Sequence, residues 1–214
     1  RHFIKKRRSL HVGYYVPDMK ELNRGCDARD TLAIYMGAPI NGYRQQVESW
    51  MSTRCSRCRS FSLAWHSDLN RSSFDAWRSQ LPQARFAVEP PGDTLERMSR
   101  DASIAAGTIP VIFDFPSTGG YLQQFLPWSP VLNWSQFSVT FQLTPAEASG
   151  DEDFTPRLDT LLRDLEQSGR AAQLCAGLAE AQERTRWTQE GVLSTVMGML
   201  AWLKAARGHP DFPE

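Results

Sequence analysis

Short apolar, β-branched and aromatic runs alternate with stretches of helical periodicity along the first two thirds of the chain. This alternation predicts βαβ units around a mainly parallel sheet. Strands are predicted at 9–15, 31–36, 60–65, 85–89, 109–114 and 137–142, with helices between them at 41–53, 71–80 and 94–106. The run Pro110-Val111-Ile112-Phe113 is almost wholly apolar, as a strand covered on both faces requires, so its strand belongs in the middle of the sheet. After Thr144 the pattern is helical only. Thr155 is placed to cap a helix with Pro156 in its first turn, and Leu158, Leu161, Leu162 and Leu165 follow at helical spacing. Two more helices are predicted at 171–186 and 188–206, and in the second Leu193, Met197, Leu200 and Leu203 form one stripe, read as core. The acidic stretch 150–153 reads as a surface turn. The expected fold is α/β, a Rossmann-like, mainly parallel sheet with flanking helices and a helical carboxyl end. Its domain is expected over 25–207, between a basic amino-terminal extension at 1–24 and a tail at 208–214.

Composition narrows the function classes. Lys plus Arg and Asp plus Glu both number 24 in 214 residues, so no overall charge bias points to nucleic acid or to an acidic membrane. The basic start, Arg1 to Arg8, lacks any aromatic platform and reads as a solvated linker; nucleic acid is not an expected partner. The longest apolar run, 192–203, is shorter than the ~18 residues a membrane span needs and contains Ser194, Thr195 and Gly198. No apolar signal-type stretch opens the sequence, so any targeting information is expected outside it. Of the four cysteines, Cys26, Cys55, Cys58 and Cys175, only Cys55 and Cys58 have the CxxC spacing of zinc and redox sites. A structural zinc needs two more ligands at suitable spacing, and none is present; a redox pair would precede a helix, whereas this one ends a helix and precedes a strand. No metal is expected, and a disulfide or plain thiols remain as alternatives.

The chemistry is expected at two strand-to-helix turns. Strand 85–89 runs into Pro90-Pro91-Gly92-Asp93-Thr94 and then a helix, a geometry that offers anions unpaired N–H groups and the positive end of a helix dipole. Arg97 and Arg100, about one turn apart, add fork-shaped donors for phosphate oxygens. A second such turn, Gly37-Ala38-Pro39, follows strand 31–36 and leads to a helix bearing Arg44. Two such turns on neighbouring strands face one crevice, because ligands of open α/β sheets bind beyond the carboxyl ends of strands.

The stretch Asp101-Ala-Ser-Ile-Ala-Ala-Gly107-Thr-Ile-Pro-Val, with Pro90-Pro-Gly-Asp93 before it and Phe125-Leu-Pro127 and Trp134-Ser-Gln-Phe-Ser-Val139 after it, resembles the exostosin family of glycosyltransferases. The resemblance covers about 25–205 and is strongest over 86–139. It implies a GT-B architecture of two Rossmann-like domains facing a cleft, of which this chain is the carboxyl-terminal, donor-binding half. It further implies a UDP-sugar donor, used as substrate with no cofactor, inversion at the anomeric carbon, a glycan acceptor held by a missing amino-terminal domain, and a luminal Golgi setting. On the matching positions, Pro91, Gly92, Asp93 and Thr94 cradle phosphate and Arg97 neutralises the leaving UDP; Gly37, Arg44, Arg100, Asp101 and Gly107 complete the donor-binding set.

Two positions depart from the family's pattern. Counted back from Gly107, the acid expected at the ribose falls on Ala102, with Asp101 one place earlier and turned by about 100° on a helix. Thr108 replaces the usual cysteine, a change expected to touch packing. No general base is assigned, since His11, His66 and His209 are candidates by residue type alone. A chain that keeps the fold but serves as a binding partner is the alternative reading.

Overall fold

The computed structural model describes residues 29–62, 71–90, 98–115, 126–129, 131–186 and 189–206. Five strands, β1 (Thr31–Gly37), β2 (Cys58–Ser62), β3 (Ala84–Glu89), β4 (Ile109–Asp114) and β5 (Val139–Gln142), form one sheet in the order β2-β1-β3-β4-β5. Every pairing is parallel. Seven helices accompany them among the described residues: α1 (Gly42–Thr53), α2 (Arg71–Gln80), α3 (Met98–Ala105), α4 (Pro145–Ser149), α5 (Thr155–Gln167), α6 (Arg170–Thr185) and α7 (Ser194–Ala206). The predicted α/β sheet is therefore present. The predicted strand at 9–15, the whole extension at 1–24 and the tail at 208–214 lie outside the described residues.

The sheet is covered on both faces. Leu32, Tyr35, Phe86, Val88 and Val111 join Trp50 of α1 and Leu158 and Leu162 of α5 in the larger core. Ile34, Met36, Ala84 and Ala87 meet Trp77 of α2, Ala102 of α3 and Ala106 in the turn after it in a smaller one. β4 is buried at all six positions, which explains its unbroken apolar run. Helices on opposite faces require the winding to reverse at β1, and the strand order puts that switch between β1 and β3.

The helix ends follow from local chemistry. Asn41 caps α1 by accepting the N–H of Arg44 at 3.0 Å. α3 stops at Gly107, whose φ of 69° is left-handed and lets Thr108 N donate to Ser103 O at 2.8 Å. Thr155 does not cap α5. It is the helix's first residue, and the Asp153 side chain accepts its N–H at 3.0 Å, because an aspartate two residues before the first turn reaches that donor directly. β5 starts at Val139 because a 3₁₀ turn, Trp134–Gln136, occupies the approach to it. The stripe read as core on the last helix is corrected at three of its four positions: Leu193, Met197 and Leu200 are 50, 58 and 45% exposed, Val192, Thr195 and Met199 face inward instead, and the side chain of Leu203 lies outside those described. Periodicity identifies an apolar face, and here two neighbouring faces of one helix are apolar.

Cys55 and Cys58 are joined in a disulfide, and among the described residues no cysteine is a free thiol. The bridge ties the end of α1 to the first residue of β2, which excludes both thiolates as zinc ligands. Loop-closure arithmetic for so small a ring gives a stabilisation of about 2 kcal/mol. The Cys55→Ser/Cys58→Ser variant is expected to lose about that much in urea unfolding.

At the amino edge of the sheet, Arg57 and Arg85 share Glu166, with Arg57 Nη2 at 2.8 Å and Arg85 Nη1 at 3.0 Å from its Oε1. The hydrogen bond from Arg57 holds the Glu166 carboxyl below its ordinary 4.5 against partial burial, with Arg85 and Arg163 adding positive charge. The folded value is the lower one, so this stability is complete above about pH 4.5 and drains as pH falls through the folded value. Thermal melts below pH 4.5 are expected to fall more steeply for the native chain than for Glu166→Gln. Beside them Arg29, pushed down to about 10 by burial and by the charge of Arg85, donates to Ala84 O at 2.9 Å and to Thr108 Oγ1 at 3.3 Å. Thr108, fully buried, donates from its own hydroxyl to Leu81 O at 2.6 Å and so acts as a packing residue.

Candidate functional site

The winding of the sheet reverses between β1 and β3. β1 and β3 pair from Thr31↔Ala84 to Ile34↔Ala87, while β1 stays paired to β2 as far as Gly37↔Ser62 and β3 to β4 as far as Glu89↔Ile112. The carboxyl ends of β1 and β3 therefore lie side by side where the strand order reverses, the place ligands of open α/β sheets occupy.

The walls come from the turns after those strands. Ser99 of α3 donates from Oγ to Glu89 Oε2 at 2.6 Å, which holds the helix against the last residue of β3. Arg44, 8% exposed, folds back over the turn after β1 and donates to Ala38 O at 3.4 Å. Gly37 is required by its own strand: a Cβ there would collide with the ring of Tyr35, which lies along the same face two residues earlier. Gly37, Arg44 and the start of α3 are therefore gathered at one edge.

The other expected residues divide. Pro91, Gly92, Asp93, Thr94 and Arg97 lie outside the described residues, as do His11, His66 and His209. Arg100 is 2% exposed, with its guanidinium carbon 5.5 Å from the centroid of the Trp134 ring. Asp101 is 8% exposed in the first turn of α3, where a carboxylate complements the helix dipole. Ala102 belongs to the smaller core. Gly107, the α3 terminator, sits at the foot of β4, on the opposite edge from Gly37 and Glu89.

Two acids escaped the sequence reading. Glu89 and Asp114 end β3 and β4, 7% and 3% exposed, at the carboxyl edge. The signal was a single charged residue closing an otherwise apolar strand. Trp128 was missed too: it is 1% exposed with φ 62°, a strained conformation held by Val131 N and Leu132 N donating to its carbonyl at 2.9 and 2.8 Å. An open groove between β5 and α5, lined by Thr140, Gln142, Thr160 and Asp164, lies at the far edge strand, away from the switch point. Its one cation, Arg157, is already held by Glu147 Oε2 at 2.6 Å. Among the described residues no cluster of His, Cys, Asp and Glu could hold a metal ion, and no helix is long and apolar enough to cross a membrane.

The family model of the Exostosin GT47 domain matches residues 10–148, a span that takes in all five strands and α1 to α3. The chain belongs to the exostosin GT47 family. A comparison with curated proteins returned no significant match. Membership makes the chain a glycosyltransferase-family domain, with a sugar donor and a glycan acceptor as its general partners. In this exostosin domain the match ends within α4, so α5 to α7 lie beyond the matched span.

Proposed function

We propose that this exostosin domain is the donor-binding half of an inverting glycosyltransferase that takes its sugar from a UDP-sugar. The observation that carries the reading is the reversal of strand order between β1 and β3, with α3 held against the carboxyl end of β3 at Ser99. A diphosphate resting there meets the positive end of the helix dipole, and Arg44 brings a guanidinium from the β1 side. Gly92, Asp93 and Thr94 complete the cradle and Arg97 neutralises the charge that develops on UDP as the glycosidic bond breaks. The acceptor and the base that activates its hydroxyl belong to a separate amino-terminal domain, facing this one in a GT-B pair. The setting is the Golgi lumen, where glycans of this class are built.

Titration calorimetry with UDP tests the reading. UDP binding is expected, and Arg97→Ala and Gly92→Trp should each weaken it at least about tenfold, or 1.4 kcal/mol. A chain that binds no UDP, or variants that bind it unchanged, would reject the site. A second reading, a domain retained as a binding partner without turnover, is favoured by Ala102, which puts a buried methyl group in the small core where the family's pattern has an acid. Sugar-nucleotide hydrolysis or transfer by the full-length protein separates the two.

A further inference from the structure

We propose that Asn133 is a modification site, the acceptor of an N-linked glycan. The inference rests on the luminal setting proposed above and concerns a residue which that reading does not use. Asn133-Trp134-Ser135 is an Asn-x-Ser sequon, the pattern whose asparagine is glycosylated in chains that enter the secretory lumen. The cysteines among the described residues, Cys55, Cys58 and Cys175, are all disulfide-bonded, as in chains that mature in an oxidising compartment. The other sequon, Asn70-Arg71-Ser72, begins outside the described residues and carries no part of the argument.

A sequon is of use only where the fold leaves its asparagine in solvent. Trp134 and Phe137 are 1 and 2% exposed, and the indole Nε1 donates to Pro127 O at 2.8 Å. These anchors pin the 3₁₀ turn Trp134–Gln136, while Asn133, Ser135 and Gln136 are exposed. Asn133 caps that turn with one half of its amide: Oδ1 accepts from Ser135 N at 3.2 Å and from Ser135 Oγ at 2.8 Å. A backbone N–H can only donate, so the atom facing it is the oxygen, and no described residue accepts from Nδ2. Aspartate or serine would cap as well; asparagine alone also presents an amide nitrogen. The turn leads into β5, so Asn133 stands at the amino edge of the parallel sheet, whereas Gly37, Glu89 and Asp114 close their strands at the carboxyl edge. A bulky, hydrated glycan at Asn133 therefore leaves the crevice beside β1 and β3 open. The sugar comes from a lipid-diphosphate-linked oligosaccharide and is moved by a luminal oligosaccharide transferase. A bond forms between Nδ2 and the anomeric carbon, the bond from that carbon to the diphosphate oxygen breaks, the lipid diphosphate leaves with the electron pair, and the amide proton passes to a base of the transferase.

Peptide mapping of the full-length protein made in a eukaryotic cell, with and without treatment by a peptide N-glycosidase, tests this. The peptide holding Asn133 is expected to carry a glycan and, once the glycan is released, aspartate at 133. Asn133→Gln would lose the cap as well as the acceptor, so Ser135 is the better position to change. Ser135→Ala keeps the backbone N–H that Asn133 caps and should fold with the glycan completely lost. Ser135→Thr retains a hydroxyl and should keep the glycan. An unmodified Asn133 in the native protein, or a glycan that persists in Ser135→Ala, would overturn the proposal. Non-reducing maps of the same sample separate this failure from that of the reading beneath it. Unmodified Asn133 with Cys55 and Cys58 paired sinks the proposal alone; unmodified Asn133 with both thiols free sinks the luminal setting with it.

Discussion

Trp134→Ala is expected to cost about 4 kcal/mol of folding stability, enough to unfold much of a domain whose total is on the order of 5–15 kcal/mol. The indole is 1% exposed, lies 4.9 Å from the Phe137 ring centroid and donates from Nε1 to Pro127 O at 2.8 Å. Its face also carries the guanidinium of Arg100, 5.5 Å from the ring centroid, which is itself 2% exposed. Alanine would leave a large cavity, orphan the Pro127 carbonyl and strip a buried cation of its aromatic partner. Trp134→Phe keeps a ring and loses the N–H, so about 1–2 kcal/mol is expected. Urea unfolding should record both as shifts of midpoint at unchanged slope.

Gly177→Val is expected to cost about 3 kcal/mol, at the upper end for overpacking. α6 crosses the 3₁₀ turn Trp134–Gln136 so closely that even a Cβ at Gly177 would overlap the Gln136 carbonyl, standing 2.9 Å from its carbon. That neighbour is backbone and has no rotamer to turn away, so the helix itself must move. Gly177→Ala should already lose more than the helix-propensity gain of about 1 kcal/mol that alanine brings elsewhere. A rise in melting temperature for Gly177→Ala would show that α6 and the turn are not in contact. Both substitutions strike the same buttress, which holds Arg100 and with it the back of α3.

The sheet was legible in the sequence because its central strands β1, β3 and β4 are mostly apolar on both faces and its turns carry Pro and Gly; β4 falls on the predicted residues 109–114. α1 and α2 were legible from Asn41 and from periodicity. What escaped depends on contacts between distant segments. α4 is five residues long, too short for a periodic signal, and exists through the capping box of Thr144 and Glu147. Glu147, 1% exposed, is held by Arg157 ten residues later, and no pattern announces such a pair. The exposed side of α7 and its buried side are both apolar, so the sequence could not say which faces in. At the candidate site, Gly37 and Arg44 were singled out from turn chemistry, whereas Glu89 was not, because its hydrogen bond with Ser99 joins β3 to α3 across ten residues.

The most direct test is a crystal structure of the chain soaked with UDP. The diphosphate is expected beyond the carboxyl ends of β1 and β3, within hydrogen-bonding reach of the first turn of α3 and of Arg44. UDP bound in the groove between β5 and α5, or a crevice closed by packed side chains with no nucleotide in it, would contradict the assignment.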